Sequence, residues 1–126
     1  MKKTNVKYIR HLNSESLRAL DFYNQELNLL QERLEEIASD NTAKEVQEKV
    51  EHFQNQILIH RNGIDELKGH ITNNNRMIEM ELLKTDPLVD EPLAKEHKKL
   101  YSDYQSEERI FNELRHEFNR FAAEWM

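Results

Sequence analysis

The sequence predicts an all-α fold: an elongated antiparallel three-helix coiled-coil bundle that associates with itself. Three observations carry this. Apolar residues recur at alternating spacings of three and four through three long segments, the pattern of helices packed along a seam. Two short breaks divide those segments. The 126 residues include only two Gly and two Pro, too few for the tight turns of a β or α/β fold. The length suits one domain over 1–126.

The first helix is predicted over 13–39, with Leu20, Tyr23, Leu27, Leu30, Leu34 and Ile37 in phase. Val6 and Ile9 continue that phase through a polar step at Asn13 and Ser16. The basic segment 1–12 is therefore read as an extension of the helix from near Thr4, in preference to a fresh start capped by Asn13 or Ser14. Ser39-Asp40-Asn41-Thr42 marks the first break, with Thr42 and Glu45 spaced as a capping box. The second helix is expected over 42–84. Its seam is Ala43, Val46, Val50, Phe53, Ile57, His60, Ile64, Leu67, Ile71, Asn74 and Ile78. Pro87 and Pro92 frame the second break, and Asp90 or Glu91 can cap the third helix. That helix is expected over 91–125, through Leu93, His97, Leu100, Tyr104, Glu107, Phe111, Leu114, Phe118, Phe121 and Trp125.

Short connections make successive helices antiparallel. A turn centred near residue 40 pairs Ile37 with Ala43, Leu27 with Phe53 and Leu20 with His60. His60 is expected to hydrogen-bond Tyr23 or a water. The third helix can set either Asn74 or Glu81 opposite His97. At ~1.5 Å per residue the second helix is about 60 Å long and the main part of the first about 40 Å. Residues 68–106 would then form a two-helix arm, covered by the N-terminal segment or by a second subunit. Phe22, Leu29, Leu58, Ile59, Met77, Met80, Leu83 and Ile110 lie off the main seam, as do Leu17 and Leu82. The eight are read as a self-association face, because a long thin bundle has little interior of its own.

The net charge is −6. Residues 1–10 carry Lys2, Lys3, Lys7 and Arg10 and no acid, which leaves −10 on the remainder. An acidic body repels phosphate, so no nucleic-acid partner is expected. No stretch reaches the ~20 apolar residues of a membrane span; a cytoplasmic protein is expected. With no Cys there is no thiol nucleophile and no thiolate metal site. Two Gly cannot build a phosphate-cradling loop.

No catalytic cluster emerges, and no enzyme, cofactor or small-molecule substrate is expected. Glu113-Leu114-Arg115-His116 matches one Glu-x-x-His element of di-iron bundles, but that design needs two elements and further inward carboxylates. His11/Glu15, Glu48/His52 and Glu66/His70 are one-turn pairs of a kind that acts as half a metal site or as a weak surface pair. His60 and Asp65 share one hemerythrin spacing, without the other His elements in order. More informative are the polar seam positions His60, Asn74, His97 and Glu107. Such residues fix register and oligomeric state when partnered, and a seam His near pKa 6.5 can make a bundle pH-sensitive.

In architecture alone the chain resembles a spectrin-type repeat, with no shared motif. The functional expectation is a non-catalytic structural or adaptor protein, homodimeric, acting through helix-mediated protein–protein contacts. Two alternatives are a ferritin-like or hemerythrin-like metal-binding bundle, and a small helical chaperone that holds a partner's apolar segment along the arm.

Overall fold

The structure, a computed structural model, describes residues 4–81 and 88–126. It is an all-α three-helix bundle: α1 (Val6–Asp40), α2 (Lys44–Glu81) and α3 (Glu91–Trp125). Two two-residue strands, β1 (Thr4–Asn5) and β2 (Leu88–Val89), pair antiparallel at one end. Leu82, Leu83, Thr85, Asp86 and Pro87, with the last turn expected of the second helix and the lysines Lys2 and Lys3, lie outside the described residues.

The extension of the first helix expected from near Thr4 forms, starting at Val6, and it removes the inequality drawn from the main part of that helix alone. Helix α1 has 35 residues, α2 38 and α3 35, or about 52–57 Å each at ~1.5 Å per residue. The start at Val6 stems from Asn5, whose side-chain oxygen accepts from the Lys7 amide at 2.8 Å, one of the four donors a helix start leaves unpaired. Asn13 and Ser14 therefore cap nothing. Because α1 runs the full length, it fills the third position beside 68–81 and 91–106, and the two-helix arm does not form there.

The first turn also differs from expectation. Residues 41–43 lie outside both helices, and Thr42 and Ala43 are exposed. In place of the capping box, Asn41 Nδ2 donates to the Ile37 carbonyl at 2.9 Å, while Gln47 Nε2 reaches the Ala38 and Asn41 carbonyls at 3.2 and 2.6 Å. These bonds satisfy carbonyls left over at the end of α1. At the second turn Asp90 is the N-cap of α3 and Pro92 stands in its first turn, where the missing N–H costs nothing.

The α1/α2 register lies about two turns further along α2 than the sequence reading places it. Asn13 meets Asn74, Asp21 pairs with Lys68, and Asn24 bonds to Asp65. The shift has a physical reason. It sets Asn13 against another amide instead of against Leu67, and brings Val6 and Ile9 beside Ile78. Between α2 and α3, the seam pattern leaves two registers open. Asn74 and His97 share a layer, His60 meets Phe111 and Phe53 meets Phe118, at ring separations of 6.2 and 5.3 Å. All three pairs belong to the register that sets Asn74, and not Glu81, opposite His97.

Among the described residues the buried apolar side chains fall into two clusters. The larger runs from Leu20 to Ile37 on α1, Val46 to Ile71 on α2 and Leu100 to Ala122 on α3. Phe111 and Phe118 are its largest fully buried side chains; Tyr23 stacks on Phe111 at 4.6 Å. Each such ring contributes several kcal/mol of burial. A smaller cluster of Val6, Ile9, Ile78 and Ala94, fringed by Leu93, closes the strand end. Ala94 takes the buried place expected of Leu93. The C-terminal aromatics pack as expected: Phe53 contacts both Phe118 and Phe121.

Candidate functional site: two buried polar layers

Between the two apolar clusters lies a polar layer built from one residue of each helix. Asn13 is 2% exposed, Asn74 0% and His97 5%. His97 Nδ1 lies 3.1 Å from Asn13 Oδ1. An amide oxygen only accepts, so the imidazole carries its proton on Nδ1 and donates. Asn13 Nδ2 donates in turn to Asn74 Oδ1 and Asn75 Oδ1, both at 3.3 Å, and Asn74 Nδ2 donates to the Leu93 carbonyl at 3.3 Å. The bonds thus run in one direction, from α3 to α1 to α2 and back to the start of α3. Ser16, also buried, turns its hydroxyl to the Leu12 carbonyl at 2.9 Å, within its own helix.

The layer contains no carboxylate. Burial, and then the Lys98 charge, hold the His97 imidazole below its usual pKa of 6.5. On one side the layer adjoins a cavity of about 240 Å³ between α1 and α3, lined in part by Tyr8, His97 and Tyr101.

A second layer lies four turns away along α2. His60, 4% exposed, donates from Nδ1 to Glu107 Oε2 at 2.9 Å; the Glu107 side chain is 13% exposed. In place of the expected Tyr23 or water, the partner is a carboxylate. Tyr23 serves a neighbouring cluster. Its hydroxyl and that of Tyr104 both donate to Glu108 Oε2, at 3.3 and 2.7 Å. Burial and the adjacent carboxylate push both phenols above their ordinary pKa of 10. A groove of about 310 Å³ opens beside Glu107, lined by Gly63, Glu66, Leu67, His70, Asp103 and Ile110 among others.

All four polar seam positions predicted from the sequence, His60, Asn74, His97 and Glu107, are thus partnered inside the bundle. Among the described residues Glu81 is buried as well, and so are Asn13 and Ser16. The signal for the last two was present, since both sit on the seam phase of α1.

The surface pairs are divided. His11–Glu15 and His70–Glu66 form at 3.2 and 3.6 Å. His52 instead meets Glu117 of α3 at 3.1 Å, because its position on α2 points across the α2/α3 groove. Glu113 pairs with Arg109 at 3.3 Å, not with His116. Among the described residues no three His, Asp or Glu side chains converge as a metal-ligand set.

The expected self-association face does not form one surface. Phe22 and Leu29 share the helical phase of Tyr8, which faces α3. Leu58 shares the phase of Asp65, which faces α1. Ile59 and Met80 share the helical phase of Glu66, and Met77 that of Gly63 and His70, so all three lie with Ile110 on the α2/α3 side. Leu83 lies outside the described residues, and Leu17 packs against the main core.

No described helix is long and apolar enough to cross a membrane. A scan of family models, a search of curated proteins and a search of solved structures each return no match to this chain.

Proposed function

We propose that this protein is a non-catalytic coiled-coil adaptor or structural module, which acts through helix-mediated protein–protein contacts and pairs with a second copy through its α2/α3 side. The observation that carries this reading is the exposed apolar set on that side: Ile59 at 60%, Ile110 at 42%, Met77 at 43% and Met80 at 58% exposure. Four large apolar side chains on one side of a slender bundle favour association, since a bundle of this width has little interior in which to place them. The partnered polar layers support the same reading. They specify one alignment of three long helices, and so present outer faces in a defined geometry.

Sedimentation velocity on the wild type and on Ile59→Glu/Ile110→Glu tests this. A wild-type dimer that dissociates in the double variant, with helicity kept, supports the reading. A wild-type monomer at high micromolar concentration, or a dimer indifferent to both charges, overturns it.

A further inference from the structure

We propose that the Asn13–Asn74–His97 layer is an acid-sensitive latch: neutral His97 docks the end core of Val6, Ile9, Ile78 and Ala94 onto the main bundle, and protonating His97 releases that end while the main core stays folded.

Among the described residues the end core is small, with four buried apolar side chains and the edge of Leu93, and the polar layer separates it from the larger cluster. Its attachment therefore depends on the layer more than that of any segment inside the main core. A neutral imidazole satisfies the layer without placing a charge in it. His97 gives its one N–H to Asn13, and every following donor in the chain already has an acceptor. A proton added at Nε2 brings a second donor and a full charge into a layer whose members are amides.

Among the described residues, the surrounding elements do not offset that charge. From α1 the neighbours are Asn13 and the cavity residues Tyr8 and Leu12; Arg10, one turn away, is itself cationic and bonded to Glu79 at 3.4 Å. From α2 they are Asn74 and Asn75, with Glu79 engaged by Arg10 and Asn75, and Glu81 two turns further toward the end of the helix. From α3 they are Tyr101, stacked on His97 at 6.0 Å, and Lys98, a like charge. The cavity beside the ring gives water and protons a path to it. The other buried histidine, His60, has the opposite surroundings, with a carboxylate oxygen at 2.9 Å. Its layer already holds a carboxylate, and it lies inside the main core.

The lowered His97 pKa fixes the sign. The unfolded or undocked end titrates near 6.5. Docking is therefore at full strength above about pH 6.5 and weakens as pH falls through the lower, folded value.

Amide hydrogen exchange at pH 7.5 and pH 5.0, expressed as protection factors corrected for the intrinsic rate, reads this directly. Protection of the amides of residues 10–13 and 76–81 should fall at pH 5.0, in the direction set by the lowered His97 pKa. Protection over 27–37 and 111–121 should stay within about twofold. In His97→Asn, which retains an N–H for Asn13, the end should lose its pH response. Unchanged end protection in the wild type overturns the proposal. So does an equal loss at both sites, which is global acid unfolding, or a pH response that persists in His97→Asn. If that variant leaves the end undocked at pH 7.5, NMR titration of the wild-type His97 ring decides. Its midpoint must coincide with that of end opening, and a mismatch overturns the latch.

Discussion

Truncating Asn13 to Ala removes the side chain that bonds to both other helices in the end layer. It leaves His97 Nδ1–H and Asn74 Oδ1 without partners, on residues 5% and 0% exposed; Asn75, half-buried, can turn to water. An unpaired buried polar group costs about 1–3 kcal/mol. The bonds lost are long, at 3.1 and 3.3 Å, which places each group in the lower half of that range. The expected loss is about 2–4 kcal/mol, read at pH 7.5 by urea unfolding with unchanged m. The Asn13→Ala/His97→Ala double variant should recover part of it, with a coupling of about 0.5–3 kcal/mol. A single-variant loss below about 0.5 kcal/mol, the level of an ordinary surface change, would refute the account of a closed three-helix layer.

Other sites give further expected outcomes. Gly69→Ala should raise stability by about 0.5–1 kcal/mol, because an added Cβ meets nothing within 4 Å and the backbone is helical; Gly63→Ala, whose Cβ would sit 3.6 Å from Glu107 Oε1, should do much the same, both by thermal melting. Glu107→Ala should cost about 1–3 kcal/mol by orphaning the His60 N–H, whereas Glu107→Gln, which keeps an acceptor, should cost clearly less; equal losses in urea unfolding would argue against the bond. Asn13→Asp places a carboxylate beside His97, so the His97 midpoint in an NMR titration should rise. Tyr23 and Tyr104 have raised pKa values; the stability tied to their neutral forms is complete below about pH 10 and is lost as pH climbs through the folded values. Absorbance at 295 nm should show these two phenols ionising only with alkaline unfolding, and Tyr104→Phe should lessen that pH dependence.

Much of this fold was legible because seam spacing is a strong local signal. Every apolar residue predicted for α1 is buried, and on α2 only Ala43 fails, at a turn whose exact close the spacing cannot encode. Register was less legible. Leu, Ile and Val fit one another in any heptad offset, so the apolar pattern permits several alignments of α1 with α2. The polar seam residues discriminate, since in the register centred near residue 40 Asn13 would be buried against Leu67. Reading Asn13 as a polar step within α1, instead of as a partner for Asn74, displaces the register by about two helical turns. The outer faces were least legible. Apolar residues off the seam at positions as different as Phe22, Leu58 and Ile110 look alike in sequence, and only the packed bundle assigns each to a groove.

An odd number of antiparallel helices also has a mechanical consequence. The Asn5 strand pairs with Leu88 at one end, while the Trp125 carbonyl receives a bond from Asn41 at the other. Asn5 and Trp125 are therefore held about 50 Å apart, the length of α1 at ~1.5 Å per residue. A load applied between them slides α1 lengthwise against α3 instead of peeling either helix from the bundle. Every layer of the seam resists that sliding together, and the Asn13–His97 and Tyr23–Glu108 bonds, which join α1 to α3, act as cross-pins.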